Sequence, residues 1–356
     1  MEVNIKIMRT DSPRSLSQYD KLGFGNIFTD HMLLMNYEGS SGWYDPRIEP
    51  YRAIPFEPAV MVFHYAQAVF EGLKCFRTAD NRILIFRPSV YADRFVGSCE
   101  RLCIPPIAPE LTVHCIKELI KVDSSWVPSN PDTSLYVRPF IIATDKHLGV
   151  RSSNTYLFMI ILSPVGAYYD EGFNPVSITV SDEYVRAVEG GTGEAKTPGN
   201  YAASLLAGAK AKKEGYTQVL WIDGKEKKYV DEVGTMNIFF VIDDTLITPE
   251  LDGAILNGVT RRSVIELARD WGVKVEERKI TIQEVMDRGR RGALSEVFGS
   301  GTAAVISPVG KLRYKGEVLT VNGGEVGELS RRLFDEITDI QYGRIPDRFN
   351  WSMEIC

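Results

Sequence analysis

The sequence has little with which to hold a metal or a disulfide. Its four histidines (His31, His64, His114, His147) stand far apart, and its five cysteines (Cys75, Cys99, Cys103, Cys115, Cys356) include no CxxC pair. That excludes the common zinc spacings and the HExxH helix, so no metal is expected. An odd number of scattered cysteines in a long chain reads as free thiols in a reducing compartment. Long apolar runs are absent too: the stretch around YLFMIILSPV is too short to span a bilayer. The first residues, MEVNIKIMRTDSPRSL, lack the apolar core of a secretion signal, and Glu2 and Asp11 fit a transit peptide poorly. Cytoplasm is therefore the expected compartment, with no membrane partner. There is no excess of positive charge: 41 Lys and Arg against 47 Asp and Glu leave −6, which argues against nucleic acid as a partner. Also missing are a GxSxG elbow, a Walker lysine and, around GGTG, the context of a dinucleotide fingerprint.

What is present is an ordinary globular composition, 44% hydrophobic and 25% charged, in 356 residues, enough for two domains. Residues 1–165 read as strands plus two helices, an α+β pattern. Gly39 to Gly42 and Asp45-Pro46 are expected turns. A helix is expected from Pro88, with Phe95, Cys99 and Leu102 on one face, and a second with Val113, Ile116, Ile120 and Val122 inward. LYVRPFIIAT and TYLFMIILSPV have strand composition. GAYYDEGFNP, residues 166–175, is the expected connection to a larger C-terminal domain, 176–356, that carries Lys196. There YAASLLAGAKAKKEG reads as one helix, Asp243-Asp244 as a hairpin turn, and LNGVTRRSVIELARDWG as the best-marked helix, opened by Gly258 and closed by Gly272.

Four features can carry chemistry, and each has a plain alternative. Lys196 follows a glycine cluster in EGGTGEAKTPGNY. It is an idle surface lysine, or a Schiff-base lysine if its surroundings are apolar and its backbone tightly turned. Glu232 in YVDEVGTMNIFF is a solvated strand end, or a carboxylate held at buried surface that needs a positive partner. Gly258-Val259-Thr260 and Gly299-Ser300-Gly301-Thr302 are ordinary glycine loops, or anion-binding loops, the first at a helix N-terminus. Arg94, read as lying in a helix's first turn, is a surface arginine, or a cation that needs an anion beside it.

GGTGEAKTPGNYAASL, DEVGTMNIFFV, LNGVTRRSVIELA and EVFGSGTAAVISPV, in this order, resemble the branched-chain amino-acid aminotransferases, pyridoxal-phosphate enzymes of fold type IV. FGNIFTDHML, HYAQAVFEGLKCF, ADRF, LYVRPF and FNPVS extend the likeness from about residue 20 to 345. The resemblance implies a two-domain, mixed α/β fold. It implies reversible ping-pong transamination of L-leucine, L-isoleucine and L-valine with 2-oxoglutarate, giving branched-chain 2-oxo acids and L-glutamate. Lys196 matches the Schiff-base lysine and Tyr201 the tyrosine on the cofactor's phenolic oxygen. Glu232 matches the partner of the pyridine nitrogen and Arg94 the arginine on the phosphate. Val259, Thr260 and Thr302 match further phosphate ligands. Tyr65, Thr235 and Ala303 match positions at the substrate carboxylate, Thr235 lying beside the cofactor as well. Phe24, Phe70, Tyr136 and Arg138 match residues around the substrate side chain and a second carboxylate. Leu148 and Val150 match a loop donated by the partner in a homodimer. Two departures stand out. Pro198 replaces a glycine and is expected to stiffen the lysine loop. Ala304 and Ser307 replace a redox CxxC of the animal enzymes, which points to a bacterial-type enzyme without thiol regulation of that kind. D-amino-acid aminotransferase and aminodeoxychorismate lyase share the fold and are the nearest rival readings.

Overall fold

The structure, a computed structural model, describes residues 4–19, 21–166 and 173–355. The chain forms two compact units by packing. One comprises Met1–Tyr168, Ala195–Pro198 and Asp339–Cys356; the other comprises Tyr169–Glu194 and Gly199–Thr338. Read in chain order, the sequence suggests one change of domain at 166–175. Residues 167–172 of that connection lie outside the described residues, and it is a proposal from sequence.

The first unit holds β1 (Lys6–Ile7), β2 (His31–Glu38), β3 (Gly42–Pro50), α1 (Val62–Tyr65), β4 (Ala68–Phe70), β5 (Leu73–Arg77), β6 (Ile83–Phe86), α2 (Pro88–Arg101), α3 (Pro109–Val122), β7 (Ser134–Ala143) and β8 (Thr155–Val165). Its sheet runs β1-β3-β2-β8-β7-β5-β6, with the chain's last strand, Ser352–Glu354, at the edge and β4 beside β7. Buried and partly exposed residues alternate along β7, as a strand's period of two requires. Asp45-Pro46 proves to be no turn: it lies inside β3, where the register with β2 slips and Asp45 takes φ +53°. The strand absorbs an extra residue there as a bulge. Both α2 and α3 open with proline, whose missing N–H costs nothing in a first turn. Tyr91, Phe95 and Cys99 make the buried stripe of α2, and Leu119 joins Ile116 and Ile120 on α3. Full burial of side chains such as Phe95 and Phe158 stabilises the unit by about 1.5–3 kcal/mol each.

The second unit holds β9 (Val176–Ser181), α4 (Pro198–Ala202) but for Pro198, α5 (Leu205–Lys213), β10 (Gln218–Ile222), β11 (Val230–Val233), β12 (Met236–Ile242), β13 (Thr245–Thr248), α6 (Val259–Asp270), β14 (Lys274–Glu277), α7 (Ile282–Arg290), β15 (Leu294–Gly301), β16 (Val305–Tyr314), β17 (Glu317–Thr320) and α8 (Glu328–Gln341) up to Thr338. Its strands follow the order β11-β10-β9-β16-β15-β12, and β11 also pairs with β12, so this part of the sheet closes on itself. Closure removes the open edges, and β12, MNIFFVI, is buried throughout. Strands β13 and β14 extend the sheet from β12, and β17 from β16. Asp243 and Asp244 both take positive φ between β12 and β13, as a tight hairpin turn requires. The helix expected over YAASLLAGAKAKKEG is broken at Ala203-Ser204 into α4 and α5. The mixture of sheets and helices bears out the expected fold class.

Candidate active site

The candidate residues fall into two groups, one in each unit. In the first, the backbone around Lys196 is pinned on three sides. Its N–H donates to Ser98 Oγ on α2 (3.0 Å), and its carbonyl accepts the Phe70 N–H (3.0 Å). Thr197 Oγ1 donates to the Ala68 carbonyl (2.9 Å). The Lys196 ammonium nitrogen lies 4.9 Å from the centre of the Phe70 ring. Arg138 stacks on the same ring at 4.8 Å, lies 5.2 Å from the Tyr136 ring, and donates from Nη2 to the Tyr136 hydroxyl (3.0 Å). Phe24 meets Tyr136 edge-on at 5.1 Å. Phe24, Phe70, Tyr136, Arg138 and Lys196 thus come together, apolar faces beside two cations. Arg138 Nε is buried and makes no hydrogen bond among the described residues, a donor placed to take an anionic group. Tyr65 ends α1 and donates its hydroxyl to the Leu148 carbonyl, on the loop that also carries Val150. The Tyr136 hydroxyl sits so close over Gly72 that a Cβ there would meet it at 1.8 Å, which is why that position takes glycine.

Arg94 lies in the second turn of α2, not the first, because the helix starts as early as Pro88. Its fork grips Glu71: Nε to Oε1 at 2.7 Å and Nη2 to Oε2 at 2.8 Å. Glu71 also accepts the Gly72 N–H (3.0 Å). The chain therefore supplies an anion for Arg94 itself. Both side chains are buried, and removing one partner of such a pair costs about 3–5 kcal/mol.

In the second unit, the closed sheet sets three polar residues in one row. Glu232 on β11 pairs across to Asn237 on β12, and Asn237 to Ser300 on β15. Directly paired residues project from the same face. Asn237 Nδ2 donates to Glu232 Oε1 (3.2 Å) and to the Leu256 carbonyl (2.8 Å), and the Leu256 N–H donates to Glu232 Oε1 (3.2 Å). Glu232 Oε2 lies 2.7 Å from Arg186 Nε, and Arg186 Nη2 holds the Ala254 carbonyl (2.5 Å). The positive partner that a buried Glu232 needs is thus Arg186. Arg186, Glu71 and Asn237 carried no signal in sequence beyond being polar. Tyr201, Glu232, Thr235 and Arg186 line one recess. Tyr201 sits on α4, whose first residue is Pro198; the expected stiffening is a helix start. Asn200 ties α4 back to Thr192 through both side-chain atoms at 2.7 Å. A Cβ at Gly193 would meet the Ala254 carbonyl at 2.1 Å, so the glycine cluster serves a close backbone approach.

Val259 and Thr260 form the buried first turn of α6, and Gly258 before them offers no side-chain cap. Buried N–H groups at a helix start need an acceptor, and the dipole favours an anion. Ser300 Oγ is buried without a partner among the described residues, and Thr302 and Ala303 lie half-buried in the turn after β15. These donors fit a phosphate, and the Glu232 carboxylate fits a protonated ring nitrogen; pyridoxal phosphate has both groups.

The family model of class IV aminotransferases matches residues 68–312. The chain is 52% identical over 352 residues to Branched-chain-amino-acid aminotransferase 2 of Bacillus subtilis (strain 168), covering 99% of this chain and 97% of the relative. It is 55% identical over 335 residues to Branched-chain-amino-acid transaminase 1 of the same organism, 94% of each chain. Among solved structures, the Escherichia coli branched-chain amino acid aminotransferase superposes with a TM-score of 0.74 at 26% identity, covering 87% of this chain and 97% of that one. A branched-chain amino acid aminotransferase from T.th., solved with pyridoxamine 5′-phosphate, gives 0.75 at 27% identity, covering 91% and 98%. A buried anion cradle, a pinned lysine and a likeness spanning nearly the whole chain agree: this chain belongs to the class IV aminotransferases, among the branched-chain-amino-acid aminotransferases.

Proposed function

We propose that this chain reversibly transfers the amino group of L-leucine, L-isoleucine and L-valine to 2-oxoglutarate, giving branched-chain 2-oxo acids and L-glutamate by a ping-pong course. Pyridoxal 5′-phosphate is the cofactor; when bound, it supplies an electron sink for the pair left at the substrate Cα. The observation that carries the substrate reading is the cluster at Phe70. An aromatic wall of Phe24, Phe70 and Tyr136 suits an aliphatic side chain, and Arg138, with a buried donor unpaired among the described residues, suits the second carboxylate of glutamate. An apolar pocket separates substrates by only about 1–3 kcal/mol per methylene, so all three branched-chain amino acids are accepted.

Lys196 Nζ would be the covalent anchor and, once free, would move the proton between the substrate Cα and the cofactor carbon that carries the amino nitrogen, as general base and then acid. Glu232, paired with Arg186, holds the proton on the ring nitrogen. Tyr201 donates to the phenolic oxygen. The first turn of α6 at Val259 and Thr260, and Thr302, hold the phosphate; the resemblance adds Arg94, whose fork the structure pairs with Glu71. Thr235, Tyr65 and Ala303 orient the substrate carboxylate. In a homodimer, Leu148 and Val150 enter the neighbouring copy's pocket. The test is product analysis with purified protein. L-leucine with 2-oxoglutarate should give 4-methyl-2-oxopentanoate and glutamate, with parallel double-reciprocal lines. Turnover of D-alanine or aminodeoxychorismate in place of L-leucine would overturn the reading.

A further inference from the structure

The connection from β7 to β8 carries two exposed apolar side chains on a frame built to hold them still. Leu148 is 65% and Val150 85% exposed. The frame centres on Asp145, whose side chain is only 14% exposed. Asp145 Oδ2 accepts from Arg151 Nη1 (2.8 Å) and the Asn154 N–H (2.8 Å), and Oδ1 accepts from Thr155 Oγ1 (3.0 Å). Its own N–H donates to Ser153 Oγ (3.2 Å), and its carbonyl accepts the Met61 N–H (2.8 Å). Burial would raise the Asp145 carboxyl, but the bonds from Asn154, Arg151 and Thr155 outweigh it and hold it below the ordinary carboxylate range. Around this hub, the Ser153 N–H donates to Gln67 Oε1 (3.1 Å), the His147 N–H to the Ala59 carbonyl (3.1 Å), and the Tyr65 hydroxyl to the Leu148 carbonyl. Several charge-assisted bonds are thus committed to a loop whose apolar tips find no burial in their own chain.

We propose that Asp145 is a positioning residue for substrate selection: it orders the 145–155 loop in advance, so that Leu148 and Val150 meet the substrate's branched side chain without a cost of ordering at binding. The delivery of those tips to a second copy rests on the homodimer reading above. A loop that must be ordered by each substrate binds it more weakly, while steps after binding are unaffected. Asp145 touches none of the groups proposed to hold the cofactor.

Asp145→Ala should raise KM for L-leucine about tenfold, with kcat within twofold of wild type and the cofactor's visible absorbance unchanged. Asp145→Asn, which keeps an acceptor oxygen, should fall between the two. Hydrogen exchange of the peptide covering 146–154 should speed up in the same order. If Asp145→Ala fails to accumulate, Arg151→Met, which removes one arm of the frame, should show the same KM-only effect more weakly. A leucine KM within twofold of wild type in Asp145→Ala, or a kcat that falls with cofactor loss, overturns the positioning role. Mixed dimers separate this from the subunit reading. A Lys196→Ala chain with an intact loop, paired with an Asp145→Ala chain that keeps its lysine, should regain the wild-type leucine KM. A KM that stays raised there overturns delivery to the second copy, while a raised KM in the Asp145→Ala homodimer still upholds positioning.

Discussion

Two adjacent carboxylates, Asp231 and Glu232, sit buried on β11 with Arg186 as their near cation. Arg186 pairs with Glu232. Asp231 is placed differently: burial, then the like charges of Asp252 and Glu232, push its carboxyl up to about 8 against the pull of Arg186. The sign of the pH effect follows. Below about pH 4 the group is protonated in folded and unfolded chains alike, and its contribution to stability is fully present. As pH rises toward about 8 the unfolded chain ionises while the folded chain keeps its proton, so stability falls by about 1.4 kcal/mol per pH unit. Asp231→Asn cannot ionise. Its urea midpoint should gain steadily on wild type from pH 5 to pH 8, and a constant difference across that range would refute the buried neutral acid. At this scale Lys196 and Glu232 were marked as candidates in the sequence, by glycines and by an apolar strand nearby. Their neighbours were not. Glu71 stands 23 positions from Arg94, and the Lys196 backbone binds Ser98, 98 positions away. Only the folded sheet and α2 bring such pairs together.

Elements with strong periodicity or punctuation were read well: α2, α3 and α6, the β7 and β8 pair, and the hairpin at Asp243-Asp244. The failures have local physical causes. Asp45-Pro46 has turn chemistry, yet a bulge accommodates it inside β3. YAASLLAGAKAKKEG has helical composition throughout, yet the chain breaks it at Ala203-Ser204. The start of α6 was legible from Gly258, but the reason for glycine was not. A Cβ at Gly258 would meet Asn237 Oδ1 at 2.0 Å, and Asn237 is the residue that bridges Glu232 to the Leu256 carbonyl. Gly258→Ala must therefore displace Asn237 or the start of α6. Overpacking of this kind costs about 1–3 kcal/mol, and the helix start proposed to hold the phosphate shifts with it. The expected outcome is a lower urea midpoint together with a pyridoxal phosphate dissociation constant raised at least tenfold, read by absorbance titration. Unchanged cofactor affinity in a destabilised protein would separate Gly258 from the phosphate cradle.

Across the whole chain, sequence order and packing order differ. The chain leaves the first unit, returns to it for Ala195–Pro198, and returns again for Asp339–Cys356. Sequence neighbours group Lys196 with the residues on either side of it, whereas packing groups Ala195–Pro198 with the first unit. The activity was legible because the likeness runs through nearly every element, not because any one motif was decisive. A cofactor that binds only the folded chain adds RT ln(1 + [L]/Kd), about 4 kcal/mol at a thousandfold excess over Kd. For a chain of this size that raises the melting temperature by roughly 5–10 °C. In the proposed site Lys196 would contribute a covalent bond, whereas Arg94 and the α6 terminus would contribute charge and hydrogen bonds, so the two parts can be separated. Lys196→Ala should still melt higher with pyridoxal phosphate, but by less than wild type at the same concentration, and pyridoxal without its phosphate should raise neither by more than a degree or so. Calorimetry across a cofactor series measures all of these. Equal shifts in wild type and Lys196→Ala would mean that the lysine is not the covalent anchor, and equal shifts with pyridoxal would mean that the α6 terminus and Arg94 do not hold a phosphate.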